Sequence, residues 1–353
     1  MAESKIAKNK IPELLKAVSA DYTLYGPKAE AGIVALGYIH SAEELMLDYR
    51  NSTISAKELF LPRAEVVYEF DGQKFVDDKL PDEKRVIFGI RPCDCRALAL
   101  LDRNFDTDEV KDPFYVTRRQ NTIVVALGCN QPLSSCFCTA VGGGPFGQEG
   151  TDVLMGDVGD SLLAKAITSK GKDFLARYGK FFSTAGSESW DKQAKEARDK
   201  MSAAPTLIKP AFGGSELNIE NLKSHLDNLF EDEIWETISC KCLGCGACSY
   251  LCPVCYCFDL VDEKTASGIK KIRTWDCCMF SMFTRHASGH NPRSVNFARL
   301  RQKIMHKFNY YTERYGVDGC VGCGRCIRSC PVNLDIRQVL EKIAAAPSAT
   351  KEK

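Results

Sequence analysis

The sequence predicts a mixed α/β domain over residues 1–204, then a linker and helical lead-in at 205–239. A mainly α, cysteine-rich domain follows at 240–346, with a disordered tail at 347–353. Three observations support this division. A length of 353 residues suggests two or three domains. Strand-length apolar runs alternate with helical stretches in the first half. Two cysteine runs of one spacing occupy the last third, separated by a long insertion at 253–319.

In chain order, residues 11–20 have the pattern of a helix. Residues 66–70 and 74–76 are short β-type stretches joined at Asp71-Gly72, a hairpin signal. Residues 85–90 and 122–127 are unbroken apolar runs of strand length, with a helix expected between them at about 94–104. Strand, helix, strand implies a parallel unit. Beyond the glycine-rich loop at 142–147, residues 153–155 suggest a strand and 160–177 helical segments. Residues 187–203 are charged and helical in pattern, 205–214 read as linker, and 218–239 hold one or two helices leading into the first cysteine run.

Composition narrows the function classes. The 47 basic and 46 acidic side chains nearly cancel, so no strong field draws the chain to nucleic acid or an anionic membrane. The first residues carry no apolar signal core, and no stretch approaches the length of a membrane span. Eighteen cysteines in such a chain, clustered at ligand spacings, point to metal chemistry in a reducing cytoplasm.

The runs are Cys242-x2-Cys245-x2-Cys248-x3-Cys252-Pro253 and Cys320-x2-Cys323-x2-Cys326-x3-Cys330-Pro331. This is the spacing of bacterial ferredoxin ligation, in which three thiolates hold one cubane and the fourth crosses to the other. It assigns Cys242, Cys245, Cys248 and Cys330 to one [4Fe-4S] cluster and Cys320, Cys323, Cys326 and Cys252 to a second. Glycines inside each run suit the tight turns that aim three sulfurs at one cubane. A zinc site would need neither the third cysteine nor the Cys-Pro ending. Two clusters make the second domain ferredoxin-like, with an insertion far longer than a minimal two-cluster protein requires.

A second thiol set lies in the α/β domain. Cys93 and Cys129 follow the two apolar strands, and Cys136 and Cys138 precede the glycine-rich loop. Carboxyl ends of parallel strands line one edge where ligands sit, and alternate residues of an extended stretch point the same way. The four thiols suit a third [4Fe-4S] cluster, a zinc ion or, as buried free cysteines, no ligand. Cys95 is the spare. Cys240, Cys255, Cys257, Cys277 and Cys278 have no assigned role, and a catalytic thiol would need a base that His286, His290 or His306 is not shown to supply. The glycine-rich loop lacks the lysine of a phosphate-binding loop and reads as a turn. Arg285, Arg293, Arg299 and Arg301 make the insertion basic, as a solvated face or as a seat for an acidic partner.

Phe88-Gly89-Ile90-Arg91-Pro92-Cys93-Asp94, the Cys129-x6-Cys136-Phe137-Cys138 loop, and Gly289-His290-Asn291-Pro292-Arg293 ahead of the second run resemble the iron–sulfur beta subunits of soluble sulfhydrogenases. They equally resemble the matching iron–sulfur subunits of anaerobic sulfite reductases and of flavin oxidoreductases serving heterodisulfide reductases. The resemblance covers almost the whole chain and departs at Cys95, where many relatives have alanine. It implies a non-catalytic electron-transfer subunit of a cytoplasmic complex in anaerobic metabolism. Such a subunit relays electrons through two or three clusters between a flavin, NAD(P)H-linked partner and a catalytic subunit of hydrogenase, sulfite reductase or heterodisulfide reductase type, with the flavin in the partner. A self-contained flavin and iron–sulfur oxidoreductase, and a zinc-stabilised scaffold, are the competing expectations.

Overall fold

The computed structural model describes residues 4–77, 79–184, 219–266 and 268–346, with Lys192, Lys195, Glu196 and Asp199 between. The linker expected at 205–214, most of the helix expected at 187–203 and the tail at 347–353 lie outside the described residues. Ten strands form in the first half: β1 Ser4–Ala7, β2 Thr23–Glu30, β3 Ile33–Tyr38, β4 Ala64–Phe70, β5 Phe75–Asp77, β6 Arg85–Ile90, β7 Thr122–Leu127, β8 Val153–Asp157, β9 Ser161–Ala166 and β10 Ser183–Thr184. Eight of them make one sheet in the order β10-β1-β9-β8-β7-β6-β2-β3. Its centre, β2, β6, β7 and β8, is parallel.

Helices cover both faces of that sheet, which is why β6 and β7 read as unbroken apolar runs rather than alternating ones. Val86 and Phe88 pack on one face with α1 (Ile11–Ser19) and α4 (Ser169–Arg177). Ile87 and Ile90 pack on the other with α2 (Pro92–Phe105) and α3 (Pro113–Gln120). Phe88 and Ile90 would share a face in a regular strand, but the register shifts between them at Gly89, which has φ of +87°. A side chain there would meet Leu47 at 2.9 Å. The bulge redirects the chain into Arg91, and Pro92 at the first turn of α2 starts the helix where its missing N–H costs nothing.

The expected helix over 160–177 is only half right. Gly159 turns the chain with φ of +98°, and residues 161–166 return as β9 antiparallel to β8. The turn residues start a hairpin there, not a helix, and α4 begins only where Thr168 accepts a hydrogen bond from the Gly171 amide.

The insertion corrects the expectation of a mainly α second domain. Besides a helix at Asn296–Met305 it holds β11 (Phe258–Thr265) and β12 (Gly268–Trp275), a hairpin in which β12 pairs with β4 to form the sheet β11-β12-β4-β5. Arg273 fixes the join by contacting Asp112 and Glu65, and the Trp275 indole donates to the Leu61 carbonyl at 2.9 Å.

The cysteine runs have their own core. Leu222, Leu226, Leu229 and Trp235 of the lead-in pack with Leu300, Ile304 and Phe308. The far side of α2 closes it, with Ala97 and Leu100 against Val254, Tyr311 and Val321. At this junction Arg325, fully buried, donates to Asp94 at 2.7 Å and to the Ser52 carbonyl at 2.9 Å. A buried charge pair costs desolvation, so it fixes the relation of the two parts more than it adds stability.

Candidate metal centres

The two cysteine runs fold alike. Gly244 and Gly322 have φ of +66° and +62°, and Gly246 and Gly324 have φ of +77° and +71°. The amides of Gly244 and Gly322 each donate to the cysteine sulfur two residues earlier, Cys242 and Cys320, at 3.4 Å. A single helical turn follows in each, Ala247–Tyr250 and Arg325–Arg328. Left-handed glycines aim backbone N–H groups at sulfur, as anionic thiolates require. The Leu334 amide adds a hydrogen bond to Cys330 Sγ at 3.2 Å.

Two neighbouring cavities collect the eight thiols. Cys242, Cys245, Cys248 and Cys330 line the first. Cys252, Cys320, Cys323 and Cys326 line the second. Cys330 thus faces the cavity of the opposite run, and so does Cys252. The third cysteines, Cys248 and Cys326, touch both cavities and form their common wall. Cys245 and Leu243 leave the first cavity open to solvent, whereas Cys252, Cys320 and Cys323 are buried.

Two buried lysines project toward the same thiols. Lys303, on the helix Asn296–Met305, contacts Cys248 Sγ and lies 3.3 Å from Ser249 Oγ. Lys307 reaches Cys252 Sγ at 3.3 Å and the Gly319 carbonyl at 2.9 Å. Both are almost wholly buried, at 5% and 6% exposure. Among the described residues no carboxylate lies within ion-pair distance of either. Buried ammonium groups need anionic partners, and a cluster held by four thiolates supplies one, so the donor set fits the group. Burial pushes the Cys320 thiol up to about 12 against the pull of Lys307. Iron would displace the proton it then keeps. Among the described residues no three Cys, His, Asp or Glu donors converge as one metal ion requires.

Residues 241–334 match the family described as a 4Fe-4S dicluster domain. Over 340 residues the chain is 29% identical to sulfhydrogenase 2 subunit beta of Pyrococcus furiosus, a match covering 96% of this chain and 97% of that relative. The chain is thus similar to an iron–sulfur beta subunit along nearly its whole length and carries a 4Fe-4S dicluster domain near its end. Both matches support iron–sulfur electron transport as part of an oxidoreductase.

The second thiol set sits beside the second cavity. The Phe137 amide donates to the Gly322 carbonyl at 2.8 Å, and Cys136 Sγ lies 3.9 Å from the Cys323 carbonyl. Cys93 and Cys138 line a shared cavity with Arg96, Gly142 and Glu149. Cys129 and Cys136 do not line it, though both are within electrostatic reach of Cys138. Burial pushes Cys138 up to about 12 and Cys136 up to about 11. Cys95 lies elsewhere, in the core between α2 and the sheet.

Cys255, Cys257, Cys277 and Cys278 lie outside the runs and pair among themselves or with Cys252. Cys255 donates to Cys252 and, with Lys307 and Lys303 helping, holds that thiol well below its usual range against burial. Cys278 donates to Cys257 and holds it at about 7; Cys277 contacts Cys278 in turn. His286 and His290 meet edge to face at the surface, and His306 lies 3.3 Å from the Tyr256 hydroxyl. Sequence reasoning missed Lys303 and Lys307. Their only signal was two lysines four apart among Leu300, Ile304 and Phe308, a spacing that puts charge on the core face of the helix.

Proposed function

We propose that this chain relays electrons through two [4Fe-4S] clusters inside a multi-subunit complex of sulfhydrogenase type. The first cluster is held by Cys242, Cys245, Cys248 and Cys330, and the second by Cys320, Cys323, Cys326 and Cys252. The observation that carries the reading is the crossing of the fourth cysteines, each in the cavity of the other run. A zinc knuckle gives no reason for that exchange. Bound clusters supply one-electron steps. The chain's own part is to hold the thiolates, donate amides to sulfur and keep water from the second, buried cavity.

The domains act together in this reading. Residues 1–204 form the docking body, 205–239 lead into 240–346, and the clusters form a line through the molecule. Cys93, Cys129, Cys136 and Cys138 are the candidate ligands of a third cluster next to the second, a reading supported by the contacts of Phe137 with Gly322 and of Cys136 with Cys323. The solvent-open first cluster is the exchange point with a partner. A catalytic subunit of hydrogenase, sulfite reductase or heterodisulfide reductase type completes the complex together with a flavin, NAD(P)H-binding subunit, the flavin lying in that partner. The setting is a cytoplasmic, anaerobic one without nucleic acid. Among the described residues no helix is long and apolar enough to cross a membrane.

Anaerobic purification with iron, sulfide, zinc and flavin analysis tests this. About eight irons per chain without flavin support the two-cluster relay and about twelve add the third cluster. Stoichiometric zinc without iron would end the reading, and bound flavin with turnover by the isolated chain would favour the self-contained enzyme.

A further inference from the structure

We propose that Lys303 is shared by both cluster cavities while Lys307 serves the second alone, so that this pair of buried ammonium groups raises both reduction potentials. The inference rests on the two-cluster reading and assigns a positioning and tuning role to residues outside either cysteine run. Lys303 lines both cavities, whereas Lys307 lines only the second. The contact of Lys303 with Cys248 Sγ puts its charge at the common wall. Lys307 is directed away from that wall, to Cys252 Sγ and the Gly319 carbonyl.

One-electron reduction adds negative charge to a cluster that is already anionic. A fixed cation beside it favours the reduced state and raises the potential, and burial lets that interaction escape solvent screening. Lys303 has a further consequence. Because it faces both cavities, an electron on either cluster draws on the same charge, so its removal must be felt at both. The chain places it there by geometry: Lys303 lies in the last turn of the helix Asn296–Met305, and residues His306–Tyr310 continue as a π-helical turn that carries Lys307. Such widened turns often sit at functional positions. Among the described residues neither lysine has a carboxylate partner, so both charges act on the sulfurs.

The test is an EPR-monitored redox titration of the anaerobically purified full chain, with iron content measured on each sample. Glutamine retains a donor for the Ser249 or Gly319 bond but removes charge. Lys303→Gln is expected to lower both midpoint potentials, Lys307→Gln to lower the second alone, and Lys303→Arg to restore values near those of the parent. Should Lys303→Gln fail to hold clusters, Lys303→Arg and Lys307→Gln decide the matter. Loaded clusters with unchanged midpoints in Lys307→Gln, or a Lys303→Gln shift confined to one cluster, overturn the assignment. A parent chain without iron would instead remove the two-cluster reading itself.

Discussion

At the scale of single residues, the fourth cysteine of each run is the decisive position. Cys330 lines the cavity of Cys242, Cys245 and Cys248, and Cys252 lines that of Cys320, Cys323 and Cys326. Cys330→Ser is therefore expected to remove or convert the first cluster, and Cys252→Ser the second, each leaving the other signal in place. EPR of the reduced variants reads this, and loss of the second signal in Cys330→Ser would reverse the assignment. The two runs themselves were legible in the sequence, because their spacing is a local property of the chain. Lys303 and Lys307 were not. A lysine among Leu300, Ile304 and Phe308 gives no sign of whether it snorkels to water or is buried against sulfur, and that depends on cysteines 55 positions away. Arg325 and Asp94 hid for the same reason, being 231 residues apart in sequence.

At the scale of elements, apolar periodicity predicted α1, β6, α2 and β7 because both faces of the sheet are buried and each signal is continuous. The hairpin β11–β12 escaped notice because it is half-exposed and charged: Leu260, Val261 and Ile269 are solvent-exposed beside Asp262, Glu263, Lys270 and Lys271. Its stability comes from pairing with β4, a partner nearly two hundred residues upstream. The cluster loops depend on neighbours in a similar way. A Cβ on Gly322 would stand 2.5 Å from the Phe137 carbonyl carbon and the Cys138 nitrogen, and its φ is +62°. Gly289 has φ of +86° but open space around it. Gly322→Ala should thus destabilise by several kcal/mol, combining strain with a backbone clash, whereas Gly289→Ala should cost about 1 kcal/mol from conformation alone. Chemical denaturation of the two variants measures the contrast, and equal losses would show that the approach of the Cys136–Cys138 segment to the second cluster loop is not tight.

At the scale of the whole molecule, the boundary between the α/β part and the cysteine runs is crossed too often for either side to be independent. β12 takes β4 as its neighbour, α2 covers Val254 and Val321, Lys57 donates to the Cys255 carbonyl at 2.9 Å, and Asn51 donates to the Cys323 carbonyl at 2.9 Å. A fragment beginning at residue 215 would expose the β12 edge and the apolar surface under α2, and unpaired edges of this kind associate. It would also free the second cluster loop from Ser135, whose carbonyl oxygen approaches the Gly324 Cβ position to 2.4 Å. The expected outcome is that this fragment aggregates or carries far fewer than about eight irons, while the full chain loads both clusters and unfolds in one transition. A soluble fragment with the full chain's iron content and EPR spectrum would mean that the cysteine runs form their cavities unaided. The long insertion would then have to be explained by docking to a partner rather than by closing the fold over the second cluster.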